Sequence, residues 1–313
     1  MTPDASLAAL SNTFFSVSIA LYSLAVVAFC AQLAFGRRRV PVPAGGGAPP
    51  EDLPAGTEQG HRWGQAALAL TGLGALSHAA VLVTRGLATD RLPWGNMYEF
   101  ATATVLVAVV AYIVLAVRSP GLRHIGLFVL APVVLSLVLI GLYLYAEAGP
   151  LVAALRSSWL AVHVTTAILG FGIFFVSGIA SVLYLLRSRF EARAAAGEAD
   201  GTGLLARLPD ATALDRVAHR TAVFGFPIWT FAVIAGAIWA ESAWGRFWGW
   251  DPKETWAFIA WVVYAAYLHA RTTAGWRGRP AAWVNVVGLV VMIFNLLYVN
   301  MVSTGLHSYG GVN

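Results

Sequence analysis

Eight separate stretches of this chain are apolar over roughly the ~20 residues that a helix needs to cross a bilayer, and this fixes the fold class first. They fall near Asn12–Phe35, Gly64–Thr84, Glu99–Val117, Ile125–Ala146, Ala161–Leu186, Thr221–Ala240, Trp256–Arg271 and Ala282–Ser303. Lipid offers no partner for a free backbone amide, so each stretch reads as an α-helix and the chain as an all-α polytopic membrane protein. Composition agrees. The chain is 58% hydrophobic and 11% charged, where a soluble domain carries about a quarter charged residues. A soluble globular protein is excluded. The first stretch has neither a preceding basic region nor a small-residue cleavage site, so it reads as a retained helix rather than a signal peptide.

Orientation follows from the basic residues, which favour cytoplasmic loops. Fifteen of the twenty Lys and Arg fall after spans one, three, five and seven; Arg85, Arg91, Arg156, Arg246 and Lys253 fall on the other side. The larger set belongs in the cytoplasm, which places both termini outside. A net charge of +5 spread over short loops is topology charge rather than a nucleic-acid groove. The expected layout is a first helix in residues 1–40, a Pro/Gly/Ala-rich flexible linker in 41–63, and a seven-helix membrane domain in 64–313. A polar cytoplasmic loop, 187–220, has a Gly-rich centre between two short amphipathic helices.

The single Cys30 rules out an internal disulfide, a CxxC pair or a thiolate metal cluster. The most informative segment is the outward loop WGRFWGWDPKETW, from Trp244 to Trp256; six of the twelve Trp lie between Trp239 and Trp261. Interfacial anchors are scattered singly, whereas a dense cluster with two Gly and an Asp251-Pro252 turn makes a flat aromatic surface for a large planar apolar ligand. Plain anchoring is the alternative reading.

Histidines give the second signal. His163 opens span five and His307 follows span eight, so both lie outside, level with the Trp loop. Such a pair can supply bis-histidine ligation to haem iron; two solvated loop histidines are the bland alternative. His78 and His269 lie within spans two and seven, where ionisable groups are rare and carry function or an interhelical hydrogen bond. Their depths differ by most of a membrane thickness, which opposes a shared iron. Trp94, Tyr98 and Phe100, in the loop between spans two and three, can extend the aromatic surface. Asn96 and Glu99 there read equally as a helix N-terminal pair or as functional groups.

Taken together these motifs resemble the tryptophan-rich "WWD" family of haem-handling proteins in cytochrome c maturation. WGRFWGWDPKETW is similar to its signature, Leu92–Phe100 to its P-x-S-N-M-Y-E-F element, and Trp159–Gly170 to its W-L-x-x-H-V element. His269-Ala-Arg, the Gly275-Trp-Arg-Gly278 turn and the terminal Gly305-Leu-His-Ser-Tyr also correspond, so the likeness runs from about residue 75 onward. Length and span number are similar to the CcsA/ResC branch (system II) rather than the shorter CcmC or the longer CcmF.

The resemblance implies a subunit of a cytochrome c synthase that carries haem b to the outer face of a bacterial cytoplasmic membrane. The implied partners are a ResB-type membrane protein, the apocytochrome with its CxxCH thiols, and thioredoxin-like reductants. Carried over, His163 and His307 are the outer axial ligands, and His78 and His269 hold haem within the membrane. Trp244, Trp248, Trp250, Asp251 and Trp256, with Trp94 and Tyr98, form the haem surface. No residue is assigned a catalytic nucleophile or acid–base role. A haem exporter without synthase activity and a structural subunit with a Trp anchor are the competing readings.

Overall fold

The computed structural model describes residues 3–36, 58–150, 155–198, 203–273, 276–303 and 305–307. Most of the expected linker, the Gly-rich centre of the 187–220 loop, Gly275 and the final Ser308-Tyr309 lie outside these residues. Eight helices run in chain order: α1 (Ala5–Phe35), α2 (Glu58–Thr89), α3 (Met97–Arg118), α4 (Gly126–Leu139), α5 (Ser158–Ala195), α6 (Ala211–Trp244), α7 (Pro252–Thr272) and α8 (Arg279–Met301). There is no strand among the described residues. A π-helical turn, Ile140–Leu144, extends α4 to the length of a span. The chain is an all-helical polytopic membrane protein.

Every expected span is a helix, but most are longer. Glu58 to Arg62, expected at the end of the linker, are the first turn of α2. The flanks of the 187–220 loop are not separate helices; they continue α5 to Ala195 and begin α6 at Ala211. Apolarity marks only the part of a helix that meets lipid, and the hydrogen-bond ladder continues past it wherever good helix formers follow. Among the described residues, seven of the eight α-helices are long and apolar enough to cross a membrane, α4 together with its π-helical turn. The exception is α7, which carries Lys253, Glu254, His269 and Arg271 within 21 residues.

The helices form two halves. In the first, α1 packs along α2, and α3 and α4 complete the group; in the second, α5 packs along α6, with α7 and α8 beside them. The halves meet chiefly where α3 crosses α5. Gly172 permits that crossing: a Cβ there would stand 2.6 Å from Val107 on α3. Small residues at such crossings replace the hydrophobic driving force that lipid removes. Asn285 on α8 adds hydrogen bonds to Ser177 (2.9 Å) and Ser181 (2.8 Å) on α5.

One end of the bundle gathers the α2–α3 loop, the start of α5, the α6–α7 loop and the segment after α8. It is held by charge. Glu99, fully buried, accepts from Arg85 (3.0 Å) and Arg91 (2.8 Å), and from the Gly95 amide (2.7 Å). Asn96 is the N-cap of α3, its side chain accepting from the Glu99 amide at 2.9 Å. The cap reading therefore holds for Asn96, while the Glu99 carboxylate belongs to an ion cluster.

Candidate outer histidine site

His163 is the sixth residue of α5, past a Ser157 N-cap whose hydroxyl accepts from Trp159 N. Its Nδ1 lies 2.8 Å from the Ala232 carbonyl on α6. A carbonyl only accepts, so Nδ1 carries the proton and Nε2 the lone pair. Gly236, one turn along α6, makes room: a Cβ there would stand 2.7 Å from His163 Cε1. Trp239 completes that face of α6, its ring stacked on the imidazole with centroids 5.8 Å apart and planes at 8°.

The chain then leaves α6 through Gly245, whose left-handed backbone (φ +71°) closes the helix with a bond to Glu241 O. Glu254 organises the loop that follows. Its carboxylate pairs with Arg246 at 2.9 Å and accepts from the amides of Gly249 (2.8 Å) and Asp251 (3.2 Å). With Asp251 as N-cap and Pro252 at the first position, this is a capping box that starts α7. Trp250 stands at φ +57°, a left-handed conformation that costs a bulky side chain energy.

Asp251 has a second task. Its Oδ1 lies 2.8 Å from His307 Nδ1, and its Oδ2 accepts from the Leu306 amide at 2.7 Å. Gly305 passes so close that a Cβ would meet Oδ2 at 2.5 Å. Burial pushes the Asp251 carboxyl upward, but the hydrogen bond and charge of His307 and the amides of Leu306 and Lys253 outweigh it and hold the group below the usual carboxylate range. The carboxylate accepts, so His307 also donates from Nδ1, and in its neutral form the ring keeps its lone pair on Nε2. Each imidazole thus has the hydrogen bond that orients a metal-bound histidine and sets its tautomer. His307 meets Trp239 and Trp244 edge-on, with centroids at 5.6 and 5.0 Å.

Two adjoining clefts, of about 440 and about 600 Å³, open here. Both are lined by His163, Trp239, Lys253 and His307. Two lone-pair imidazoles, indole rings and a lysine fit an iron porphyrin with acidic side groups.

The expected aromatic residues divide. Trp244 and Trp248 line the smaller cleft and Trp94 the larger, with Phe100 beside it. Trp250 instead packs with Trp248 and Phe258 in a second, outward-facing ring cluster, and is 64% exposed. Trp256 turns to α8 and lies tilted against Phe294, with centroids 4.3 Å apart. Tyr98 is buried beneath Arg85, between Phe15 and Tyr145, and lines neither cleft. The tryptophans do not form one flat surface, because the helical periods of α6 and α7 point successive rings to different sides.

The membrane histidines are not brought together. His78 is fully buried in the first half, with Nδ1 3.3 Å from the Tyr22 hydroxyl and the ring near the Thr102 backbone. It stands eleven residues, ~16 Å, from the end of α2 at Thr89. His269 is exposed three residues from the opposite end of the bundle, at Thr272. Residues that motif reading did not single out are Gly236, Lys253 and Trp239. The last has a legible signal, since Ala232, Gly236 and Trp239 recur at helical spacing on one face.

The sequence model of the family described as cytochrome C assembly protein matches residues 94–307. The cytochrome c biogenesis protein CcsA of Guillardia theta is 36% identical over 261 residues, covering 77% of this chain and 84% of that one. CcsA of Synechococcus elongatus is 36% identical over 277 residues, covering 75% and 84%. That of Gloeobacter violaceus is 35% identical over 283 residues, covering 75% and 83%. Among solved structures, cytochrome c heme lyase CcmF superposes with a TM-score of 0.63 at 18% identity. The alignment takes in 93% of this chain and 46% of that one, and at this identity the likeness is one of fold. Matched by the family model over most of its length and by CcsA proteins over three quarters of it, the chain belongs to the cytochrome c assembly protein family.

Proposed function

We propose that this protein presents haem b for thioether attachment to apocytochrome c, as the haem-handling subunit of a system II cytochrome c synthase. The named role of its CcsA relatives in cytochrome c biogenesis supports the class of process. The observation that carries the reading is the pair His163 and His307. One arrives on α5 and the other in the turn after α8, both lie against Trp239, and each donates Nδ1 to an anchored oxygen, so that Nε2 serves the iron.

In this reading the bundle end that holds the pair faces outward, because the basic residues concentrate at the other end. Haem is the cargo, and its chemistry supplies the vinyl groups. The chain binds, orients and shields it; Trp239, Trp244 and Trp94 cover the macrocycle, and Lys253 is placed for an acidic side group. The thiols come from the apocytochrome's CxxCH motif and are kept reduced by thioredoxin-like proteins. The exposed position of His269 means that a haem held there takes its opposite ligand from outside this chain. A ResB-type partner is the proposed source. His78 is a separate station, not the second ligand of the same iron.

The test is purification in mild detergent followed by co-expression with an apocytochrome c and the partner. A Soret band with a low-spin spectrum is expected, together with c-type haem on the cytochrome. A colourless protein would reduce the Trp loop to an anchor. Bound haem without maturation would leave an exporter.

A further inference from the structure

The two outer histidines are held in different ways. His163 sits inside a helix of 38 residues, and its ring is fixed by a main-chain carbonyl of the neighbouring helix at 2.8 Å. Gly236 lets the two helices close around it, so the imidazole cannot withdraw without moving α5 against α6. His307 stands six residues beyond the end of α8, in a turn. Asp251 holds that turn through the Leu306 amide (2.7 Å) and the imidazole Nδ1 (2.8 Å). Asp251 itself is the N-cap of α7, its Oδ1 accepting from the Lys253 amide at 3.0 Å.

From this asymmetry we propose that His307 is the exchangeable iron ligand, His163 the permanent one, and Asp251 the latch that holds His307 in place until the apocytochrome's own histidine takes over. The proposal rests on the haem-presenting reading above and specifies which coordination position is offered to the incoming protein. Moving a turn requires only local rearrangement, whereas shifting one packed helix on another disturbs a whole interface. Departure of His307 gives up its bond to Asp251 and its edge contacts with Trp239 and Trp244, and moves a turn rather than a helix. Departure of His163 gives up a bond to a main-chain oxygen of α6 and its stacking on Trp239, at the α5–α6 contact. Asp251 is therefore a positioning residue. Its carboxylate keeps the His307 ring aligned and Nε2 basic, and its strength sets how readily the ligand is surrendered.

The experiment uses the haem-loaded full chain in detergent. The probe is a synthetic peptide with one histidine and with serines in place of the CxxCH thiols, so that it can ligate iron but cannot attach. Ligand exchange is followed by absorption. The imidazole released is trapped with diethyl pyrocarbonate and located by mass spectrometry. The expected result is peptide-dependent labelling of His307 with His163 protected. The Asp251→Asn variant, in which asparagine can still cap α7, should exchange faster by about tenfold or more, the effect of losing a charged hydrogen-bond partner. Labelling of His163, equal labelling of both, or no displacement by the peptide would each overturn the proposal. So would an exchange rate unchanged in Asp251→Asn. A purified protein without a low-spin haem spectrum would instead remove the functional reading itself, which separates the two failures.

Discussion

At the scale of single residues, the outer site depends on imidazoles whose positions sequence can locate but whose partners it cannot. That His163 and His307 lie on one side at one level is legible from span counting alone. That Ala232 and Asp251 orient them depends on how α6 and α7 are rotated about their axes, which no local pattern specifies. The consequence can be measured. His163→Gly and His307→Gly should each abolish cytochrome c maturation, read by c-type haem staining, and free imidazole in the medium should restore part of it. The cavity left by either ring is apolar-walled and faces the same cleft, so a small ligand can enter. Full maturation of both variants without imidazole would show that neither ring is an essential ligand. Trp250→Gly should behave differently. Glycine relieves the left-handed strain at φ +57° and leaves the fold intact. The exposed ring is lost, however, so maturation should fall and imidazole should not restore it, at unchanged protein level on immunoblot.

At the scale of elements, apolar runs identify the eight helices, yet the runs stop where lipid stops. Arg85 is the clearest case: read as a loop residue, it lies inside α2 with its guanidinium over the Tyr98 ring at 4.7 Å. Its ion pair with Glu99, which also binds Arg91, fixes the α2–α3 loop that carries Trp94 to the cleft. The side chains of Arg85 and Glu99 are 1% and 0% exposed. Removing the carboxylate leaves two buried guanidiniums facing each other, and broken buried pairs cost about 3–5 kcal/mol. Glu99→Ala should therefore lower the thermal unfolding midpoint in detergent well beyond an Arg62→Ala control at the exposed pair with Glu58. Equal midpoints would mean that the cluster contributes nothing net. The tryptophan loop was less legible. A one-dimensional cluster of indoles suggests one surface, but a loop between helices of different azimuth distributes its rings among the cleft, the exterior and α8.

At the scale of the whole molecule, the family match begins at residue 94, within the loop that leads into α3. The α1–α2 pair lies wholly before it and packs mainly upon itself. The proposed orientation predicts that a reporter fused after His307 is exported and that one fused within 187–207 stays inside. Active alkaline phosphatase from an insertion at Gly197 would reverse it. One feature of the bundle then bears on how the protein is made. A translocon accepts a helix by its own apolarity. Helix α7 is the poorest in that respect, and its neighbours answer its polar groups: Asp215 of α6 takes Arg271 through bonds of 2.8 and 2.9 Å, and the Asn295 carbonyl of α8 takes Lys253 at 3.1 Å. A chain truncated at Trp276 and fused to a reporter should therefore show mixed orientation, whereas the same reporter inserted there in the full chain should report inside. Uniform inside orientation of the truncated fusion would mean that α7 enters unaided. On the expected mixed outcome the segment that bears Asp251 and the tryptophans is set in the membrane only once α8 has emerged from the ribosome, so an interrupted nascent chain does not display a half-built outer cleft.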